Sequence, residues 1–256
     1  MTGLESGLET GLETGLARVW IVPVDLPPHQ VARCRDVLDD RERGRAAAFL
    51  SERDRQQYTV AHGALRILAA RELQAVRELQ AARQPQVEPK ALRWEPGRYG
   101  KPELVAPWSG LSTSLSHSGD LVAVAIAAGR TVGVDIQHLV PHLDLVALSE
   151  RFYPPAEAAY VAAGRDAHAK AERFTRLWSR KEAVVKAAGG RLWSNLRIAV
   201  LDRDVVNCDE PPGAYQVADV PAPGGFRAAV ALAGAAPFVT QVVTSGREVA
   251  APAVTG

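Results

Sequence analysis

Apolar and polar positions along the chain predict a mixture of strands and helices. Alternating or continuous apolar residues predict early strands at 19–24, 121–128 and 130–137. Helical spacing of apolar residues predicts helices at 30–50 and 54–83, and proline and glycine predict a loop at 84–97. The same order then recurs, with helices at 143–151, 155–163 and 169–188 and strands at 196–201, 214–220, 226–233 and 238–244.

The recurring order predicts an α+β protein made of two similar α+β halves. We place the N-terminal half at 18–130 and the C-terminal half, which carries the candidate metal ligands, at 131–249. Residues 1–17 contain a Gly-rich repeat, which predicts a disordered low-complexity extension without a chemical role. Residues 250–256 are mostly small and are expected to form a flexible tail.

Composition restricts the classes of partner. The net charge is +1, so no general electrostatic field favours nucleic acid or a membrane, and a bound anion must meet a local basic cluster. Cys34 and Cys208 lack the spacing of a disulfide scaffold or a zinc site and suit a reducing compartment. No secretory signal pattern is evident, and the apolar run from Leu121 to Ala128 is too short to span a bilayer. We therefore expect a cytoplasmic protein.

Two oxygen-bearing side chains are predicted on one face of a strand. In the segment GVDIQ at 133–137, strand alternation places Asp135 and Gln137 together and Val134 and Ile136 on the opposite face. Oxygen ligands two residues apart can share a hard cation such as Mg²⁺. The alternative is an ordinary aspartate near a strand end, because so short a pattern is common by chance.

A second candidate group lies on the helix predicted at 169–188. Trp178, Glu182 and Lys186 follow one another at intervals of one helical turn and share one face. Trp178 is expected to anchor this face in the core, while Glu182 and Lys186 project side by side. The alternative is a surface Glu–Lys pair, which contributes only about 0.3–0.5 kcal/mol.

Two upstream segments contain candidate phosphate ligands. The Gly-Lys-Pro sequence ending at Pro102 predicts a turn that presents the amine of Lys101 from a fixed backbone. Ser116 and His117 precede the strand at 121–128 and could donate hydrogen bonds to a phosphate. A serine hydrolase site is the alternative, but the chain has no Gly-x-Ser-x-Gly elbow and adjacent residues of a strand point to opposite faces.

Together and in this order, the motifs resemble the Sfp-like 4′-phosphopantetheinyl transferases. That family has a Gly-Val/Ile-Asp strand followed about 40 residues later by Trp/Phe-Ser-x-Lys-Glu-Ser/Ala-x-x-Lys, and this chain has the two motifs at 133–135 and 178–186. The resemblance covers roughly residues 18–245, and Trp178 with Ala183 resembles the Trp/Lys-Glu-Ala subgroup. It implies a pseudo-dimer of the two α+β halves, with the active site in the cleft between them.

The resemblance also implies the reaction. The phosphopantetheine group of coenzyme A would pass to a serine of an apo acyl or peptidyl carrier protein, with Mg²⁺ as cofactor and adenosine 3′,5′-bisphosphate as the leaving group. Asp135 and Glu182 would bind the metal, and Gln137 occupies the position of a third acid. Glu182 would act as the base, and Lys186 would stabilise negative charge on the phosphates.

Coenzyme A binding is implied for a further group of residues, namely Arg45, Lys101, Pro102, Ser116, His117 and Lys181. The resemblance further implies a monomeric enzyme that needs neither nucleic acid nor a membrane. It does not distinguish polyketide, nonribosomal peptide and fatty acid carriers.

Two other functions remain open. A Mg²⁺-dependent nucleotide phosphohydrolase could use Asp135, Glu182 and Lys186, and would need only water as its second substrate. A non-catalytic module that binds coenzyme A or a carrier protein would not need the acids. The apolar segment at 139–152, which follows the candidate metal strand, is a possible docking surface for the carrier or simply part of the core.

Overall fold

A computed structural model describes residues 15–79, 86–97, 99–190, 196–209 and 211–244. The predicted tail and residues 1–14 of the predicted extension lie outside these residues. Within the described residues, the helices are α1 (Pro28–Asp36), α2 (Asp40–Ala47), α3 (Glu52–Leu79), α4 (Leu145–Phe152), α5 (Pro155–Ala162) and α6 (Ala167–Ala188). The strands are β1 (Leu16–Pro23), β2 (Trp94–Pro96), β3 (Pro102–Leu104), β4 (Leu111–Ser118), β5 (Leu121–Ala128), β6 (Val132–His138), β7 (Val205–Asp209), β8 (Pro212–Val220), β9 (Phe226–Ala233) and β10 (Val239–Thr244).

The α+β class is confirmed, with local differences from the prediction. The single helix predicted at 30–50 is wrong, because Asp39 and Glu42 form a capping box that starts α2 as a separate helix. The loop predicted at 84–97 contains β2 and a 3-10 turn at Pro89–Ala91. At the N-terminus, Leu16 and Ala17 belong to β1 and not to the predicted extension.

The strand predicted at 196–201 is also wrong, and a buried acid explains why. The backbone N–H groups of Val200 and Leu201 donate to Oε1 of Glu157 at 2.5 and 3.0 Å, while the carbonyl of Ile198 accepts from Lys181. These backbone groups therefore bond to side chains and not to a neighbouring strand. The strand lies a few residues later, at Val205–Asp209.

Two four-stranded sheets are stacked between the long helices. The first has the order β10-β1-β5-β4 and packs one face on α3, and the second has the order β6-β9-β8-β7 and packs one face on α6. Their other faces meet in a shared apolar cluster that includes Val19, Ala125, Val134 and Val230. β10, the last strand, pairs in parallel with β1, so the C-terminal chain returns to the first sheet. The division at residue 130 remains a prediction.

Serine side chains join the two sheets along one edge. The hydroxyls of Ser112, Ser114 and Ser118 on β4 accept hydrogen bonds from the β6 backbone amides of Val132, Val134 and His138, each at 3.0 Å. Residue numbers rise together on the two strands, so β4 and β6 run side by side in the same direction. The fourth serine in this alternating series, Ser116, bonds instead to a side chain of β6 and marks the candidate site.

Gly133 allows β6 to lie directly on α6. A Cβ at this position would overlap the carbonyl oxygen of Ala183 and the amide nitrogen of Ala187, both backbone atoms of α6. These two alanines directly follow Glu182 and Lys186 in the sequence. The glycine therefore sets the separation between the strand that carries Asp135 and the helix that carries Glu182 and Lys186.

We predict that Gly133→Ala lowers the free energy of unfolding by about 3 kcal/mol or more, because neither overlapping backbone can move without repacking the core. Gly44→Ala is the matched control, since a Cβ there meets nothing within 4 Å on the exposed helix α2. It should stabilise the protein by about 0.5–1 kcal/mol. Urea denaturation followed by circular dichroism measures both changes. Equal unfolding midpoints for Gly133→Ala and the unmodified protein would contradict the packing argument.

Candidate active site

Asp135 is the most completely bonded side chain of the candidate site. It is only 1% exposed, and its Oδ1 accepts hydrogen bonds from the Ser116 hydroxyl and the Lys186 ammonium, both at 2.7 Å. Its Oδ2 accepts from the amide of Gln137 at 3.1 Å. The Lys186 ammonium also donates to the Ser116 oxygen at 2.9 Å. Asp135, Gln137, Ser116 and Lys186 therefore form one connected polar group at the junction of β4, β6 and α6.

Glu182 joins this group from α6, where the ionised form of its carboxyl group is destabilised. Burial raises the pKa of Glu182 to about 7, the negative charge of Asp135 adds to the rise, and the positive charge of Lys186 opposes it. The two carboxylates thus repel each other in a partly buried site, where Lys186 bonds to Asp135 and lowers the pKa of Glu182. A divalent cation would relieve the repulsion between the two acids.

The donor set fits a magnesium ion. Asp135 and Glu182 offer carboxylate oxygens and Gln137 offers an amide oxygen once its side chain turns, and Mg²⁺ prefers such hard oxygen ligands. Among the described residues, no three His, Cys, Asp or Glu side chains converge on one point. The proposed ligands would not form such a cluster, because the third of them, Gln137, is neither a histidine, a cysteine nor an acid.

A cavity of about 530 Å³ lies beside the polar group, and we call it the hairpin cavity because the β2–β3 hairpin forms one wall. Cationic side chains from α2, α3, α6 and the β2–β3 hairpin line it, and Tyr58 and His62 of α3 stack at 4.1 Å on another side. The cationic residues are Arg41, Arg45, Arg66, Arg93, Lys101 and Lys186. Lys186 therefore faces both Asp135 and the cavity, and connects the acids to a space of a size that suits a small molecule.

Lys101 holds the hairpin against the rest of the site. Its ammonium donates to the backbone carbonyls of Val132 at 2.6 Å and Lys186 at 3.0 Å. Burial lowers the pKa of Lys101 to about 8; Glu103 opposes this fall and the positive charge of Lys186 adds to it. The predicted turn is present, with Gly100 at a φ of 86°, and Pro102 also lines the cavity. Arg98 of this motif lies outside the described residues.

Arg66 organises the opposite wall of the hairpin cavity. It is 1% exposed and donates to Asp39 and Glu42 at 2.6 Å each. Burial opposes ionisation of Glu42, but hydrogen bonds from His62 and Arg66 outweigh it and lower the pKa of Glu42 to about 2. The charge of Arg66 is thus neutralised within the wall, whereas Arg45 is exposed and lies 5.9 Å from the Tyr58 ring.

Ser116 and His117 serve different sides of β4. Ser116 is buried against Asp135, so its hydroxyl belongs to the polar group. His117 is exposed at the surface, and its pKa is lowered by burial of part of the ring and by the positive charges of Lys186 and His62. The structure therefore places these neighbouring residues in two environments, as strand alternation requires.

Lys181 does not face the candidate site. It is 0% exposed, and its ammonium lies 2.6 Å from the carboxylate of Glu157, which is 2% exposed, and contacts the carbonyl of Ile198. The Tyr153 ring lies 4.7 Å from the same ammonium. This burial corrects the prediction that Lys181 binds phosphate. Helix periodicity turns Lys181 away from the face of Glu182. Glu157 on α5 neutralises the buried charge, and the Ile198 carbonyl and the Tyr153 ring also contact the ammonium.

The apolar segment at 139–152 is mostly part of the core. Leu139 and Leu145 are each 3% exposed, and Val140 and Leu148 pack against the cluster around α6. Leu143 is the large exposed hydrophobic residue of this segment, at 46%. A single exposed leucine is a normal surface feature and gives little support to an apolar docking face.

Sequence reasoning missed two parts of the site. The alternating serines at 112, 114, 116 and 118 were visible in the sequence, but their partners lie on β6 and follow only from the stacking of the two sheets. The ion pairs of Arg66 with Asp39 and Glu42 could not be read from the sequence, because the two acids belong to α2 and its N-terminal cap while Arg66 belongs to α3.

These features define an α+β enzyme whose acids and lysine lie beside a cation-lined cavity, an arrangement suited to a phosphate-containing substrate. A family model described as the 4′-phosphopantetheinyl transferase superfamily matches residues 131–217. The 4′-phosphopantetheinyl transferase HetI of Nostoc sp. is 30% identical over 220 residues, which are 84% of this chain and 87% of HetI. The 4′-phosphopantetheinyl transferase AcpT of Escherichia coli is 37% identical over 97 residues, 38% of this chain and 49% of AcpT.

A phosphopantetheinyl transferase of Thraustochytrium sp. is 32% identical over 175 residues, 63% of this chain and 57% of the relative. The chain belongs to the 4′-phosphopantetheinyl transferase superfamily and is a transferase of that class. The narrower Trp/Lys-Glu-Ala subgroup remains a prediction. Among the described helices, none is both long and apolar enough to cross a membrane.

We predict that Lys181→Met lowers the free energy of unfolding by about 3–5 kcal/mol, because it leaves the buried Glu157 carboxylate without its cation. The double variant Lys181→Met/Glu157→Gln should recover part of this loss. Lys90→Met, at an exposed lysine, is the control and should change stability little. Urea denaturation without ligand measures all three. Full stability of Lys181→Met together with weakened coenzyme A binding would show that Lys181 binds phosphate after all.

Proposed function

We propose that this enzyme transfers the 4′-phosphopantetheine group of coenzyme A to a serine of an apo acyl or peptidyl carrier protein. The serine oxygen forms a bond to the pantetheine-side phosphorus, and the bond from that phosphorus to the bridging oxygen breaks. Adenosine 3′,5′-bisphosphate leaves with the electron pair. Membership of the superfamily supports the reaction class, and the carrier protein and the products are part of the proposal.

The position of Lys186 is the main observation that supports this reaction at the candidate site. Lys186 bonds to Asp135 at 2.7 Å and lines the hairpin cavity, so the acids lie at the edge of a space that can hold a nucleotide. The cavity is lined by six cationic residues and three acids, Asp39, Glu42 and Glu95, in a chain whose net charge is only +1. A polyanion such as coenzyme A would therefore bind where charge is concentrated, with its pyrophosphate next to the acids.

Each residue of the polar group has a proposed role. Glu182, or a water molecule that it holds, accepts the proton of the incoming serine hydroxyl. Lys186 neutralises negative charge on the phosphates as the leaving group departs. Ser116 holds the Asp135 carboxylate in place through its hydrogen bond. Arg45, Lys101, Pro102 and His117 contact the nucleotide end of coenzyme A.

Asp135, Glu182 and Gln137 are the proposed ligands of Mg²⁺. When bound, the ion would act as a Lewis acid on the pyrophosphate. Lys186 already supplies one positive charge to Asp135, and Gln137 adds none of the negative charge that a third acid would bring. The free site should therefore hold the metal weakly, and Gln137 must turn its amide oxygen toward the site from the orientation that bonds to Asp135.

The wider architecture belongs to the same proposal. The first sheet with α3 and the second sheet with α6 would be the two halves of a pseudo-dimer. The polar group and the hairpin cavity would then lie in the cleft between these halves. We further propose a monomeric, cytoplasmic enzyme that serves polyketide, nonribosomal peptide or fatty acid carriers and requires neither nucleic acid nor a membrane.

We predict that purified enzyme with coenzyme A and Mg²⁺ adds one phosphopantetheine group to an apo carrier protein, as intact-protein mass spectrometry would show. Chelation of the metal should abolish the addition, and a carrier whose acceptor serine is replaced by alanine should gain no mass. A nucleotide phosphohydrolase would instead consume coenzyme A without any carrier. Loss of coenzyme A while several unrelated apo carriers stay unmodified would overturn the transferase proposal for this chain.

We predict that the three proposed metal ligands differ in importance. Asp135→Ala and Glu182→Ala each remove a charged ligand and should lower kcat by about 10²-fold or more. Gln137→Ala removes a neutral dipole that water can replace, so its loss should be much smaller. Gln137→Glu should tighten Mn²⁺ binding to the coenzyme-free enzyme, measured by titration calorimetry. A folded Gln137→Ala variant as inactive as Asp135→Ala would show that this account of the ligand set is wrong.

A further inference from the structure

The β2–β3 hairpin depends on other elements for its position. β2 and β3 form a separate two-stranded sheet, which extends from the Trp94–Leu104 pair to the Pro96–Pro102 pair. A sheet of only two strands is marginally stable at best by itself. Contacts with the rest of the protein must therefore hold this wall of the hairpin cavity in place.

The base of the hairpin is held by α3 and β4. The indole N–H of Trp94 donates to the Thr113 hydroxyl on β4 at 3.0 Å. Arg66 of α3 donates to the carbonyl of Leu92 at 2.9 Å, and its guanidinium carbon lies 5.2 Å from the Trp94 ring. These contacts are all at the end of the hairpin that is remote from its turn.

The turn of the hairpin is held by Lys101 and lies on the C-terminal end of α6. The ammonium donates to the carbonyls of Val132 at 2.6 Å and Lys186 at 3.0 Å. Gly189, the C-cap of α6, has a φ of 76° and lies directly under the turn. A Cβ at this glycine would be 3.2 Å from the Cβ atoms of both Lys101 and Tyr99.

The two carbonyls explain why a cation stands at this point. α6 ends at Ala188, so the Lys186 carbonyl is one of the last four of the helix, which have no partner inside it and carry partial negative charge. Val132 is the first residue of β6, and its N–H donates to Ser112 while its carbonyl accepts from Lys101. A single ammonium therefore joins the hairpin to both elements that carry the proposed metal ligands.

We propose that Lys101 is a positioning residue for coenzyme A, which acts by holding the hairpin wall in place and not by contact of its ammonium with a phosphate. The hairpin presents Trp94, Tyr99 and Pro102 to the cavity, so a displaced turn would change the shape of the space. The backbone and the carbon chain of Lys101 would then make its proposed contact with the nucleotide. This inference rests on the proposed function, in which coenzyme A occupies the hairpin cavity.

The first measurement is hydrogen–deuterium exchange of the full-length enzyme without ligand. In Lys101→Met, the amides at 99–104 should exchange about tenfold faster, equivalent to about 1.4 kcal/mol, because the turn loses its bonds to β6 and α6. The segment at 105–111 should be unaffected, because Val105 keeps its bond to the Arg93 carbonyl at the base. Lys90→Met, at an exposed lysine, is the control and should change neither segment.

The second measurement is coenzyme A binding by titration calorimetry. Lys101→Met should bind about tenfold more weakly, and Lys101→Arg, which keeps the charge and N–H donors, should lose less than about threefold. In transfer kinetics, the KM for coenzyme A should rise in Lys101→Met. The kcat and the KM for the carrier should stay within about twofold, because the wall affects binding and not the reacting groups.

Ligand-free exchange separates positioning from direct contact. Unchanged exchange at 99–104 in Lys101→Met would overturn the proposal, and weaker coenzyme A binding with that result would make Lys101 a direct ligand. Faster exchange with unchanged affinity would also overturn it. If Lys101→Met does not fold, as its melting temperature would show, Lys101→Gln takes its place with the same expected results. Failure of the unmodified enzyme to bind coenzyme A would instead count against the proposed function.

Discussion

The backbone contact between β6 and α6 at Gly133 is the constraint on which the candidate site depends. Strand and helix touch there without an intervening side chain, and the helix atoms concerned belong to Ala183 and Ala187. Each alanine follows a functional residue, Glu182 or Lys186, and Asp135 lies two positions beyond the glycine. The two motifs are therefore the two surfaces of one packing contact. Small residues are required at the contact so that the charged residues beside it can reach each other.

Helix α6 carries two ion pairs that serve different purposes. Lys186 pairs with Asp135 at 2.7 Å, and this lysine is partly exposed to the hairpin cavity. Lys181 pairs with Glu157 at 2.6 Å, and both are sealed from solvent. The second pair also accounts for the irregular chain at 196–201, whose backbone N–H groups bond to the same Glu157. One pair thus places charge where a substrate can meet it, while the other fixes a loop against the helix.

The serine bonds between β4 and β6 connect the first sheet to the site. Three of them link hydroxyls to backbone amides at 3.0 Å and hold the strands in register. With this register, Ser116 faces Asp135 across the boundary between the sheets. Lys101 adds a second connection, from the β2–β3 hairpin to β6 and α6. The site is therefore assembled from both sheets, although its acids come from the second.

The sequence by itself was sufficient for the α+β class, most helices and strands, and the motifs that carry Asp135, Glu182 and Lys186. Helical and strand periodicity are local properties, so they place these residues on particular faces before any packing is known. Tertiary structure decided the rest. Three features depend on partners distant in sequence. Lys181 pairs with Glu157, Arg66 pairs with acids at α2, and β10 pairs with β1. Such partners leave no periodic signal, because burial and charge pairing act between elements and not along one of them.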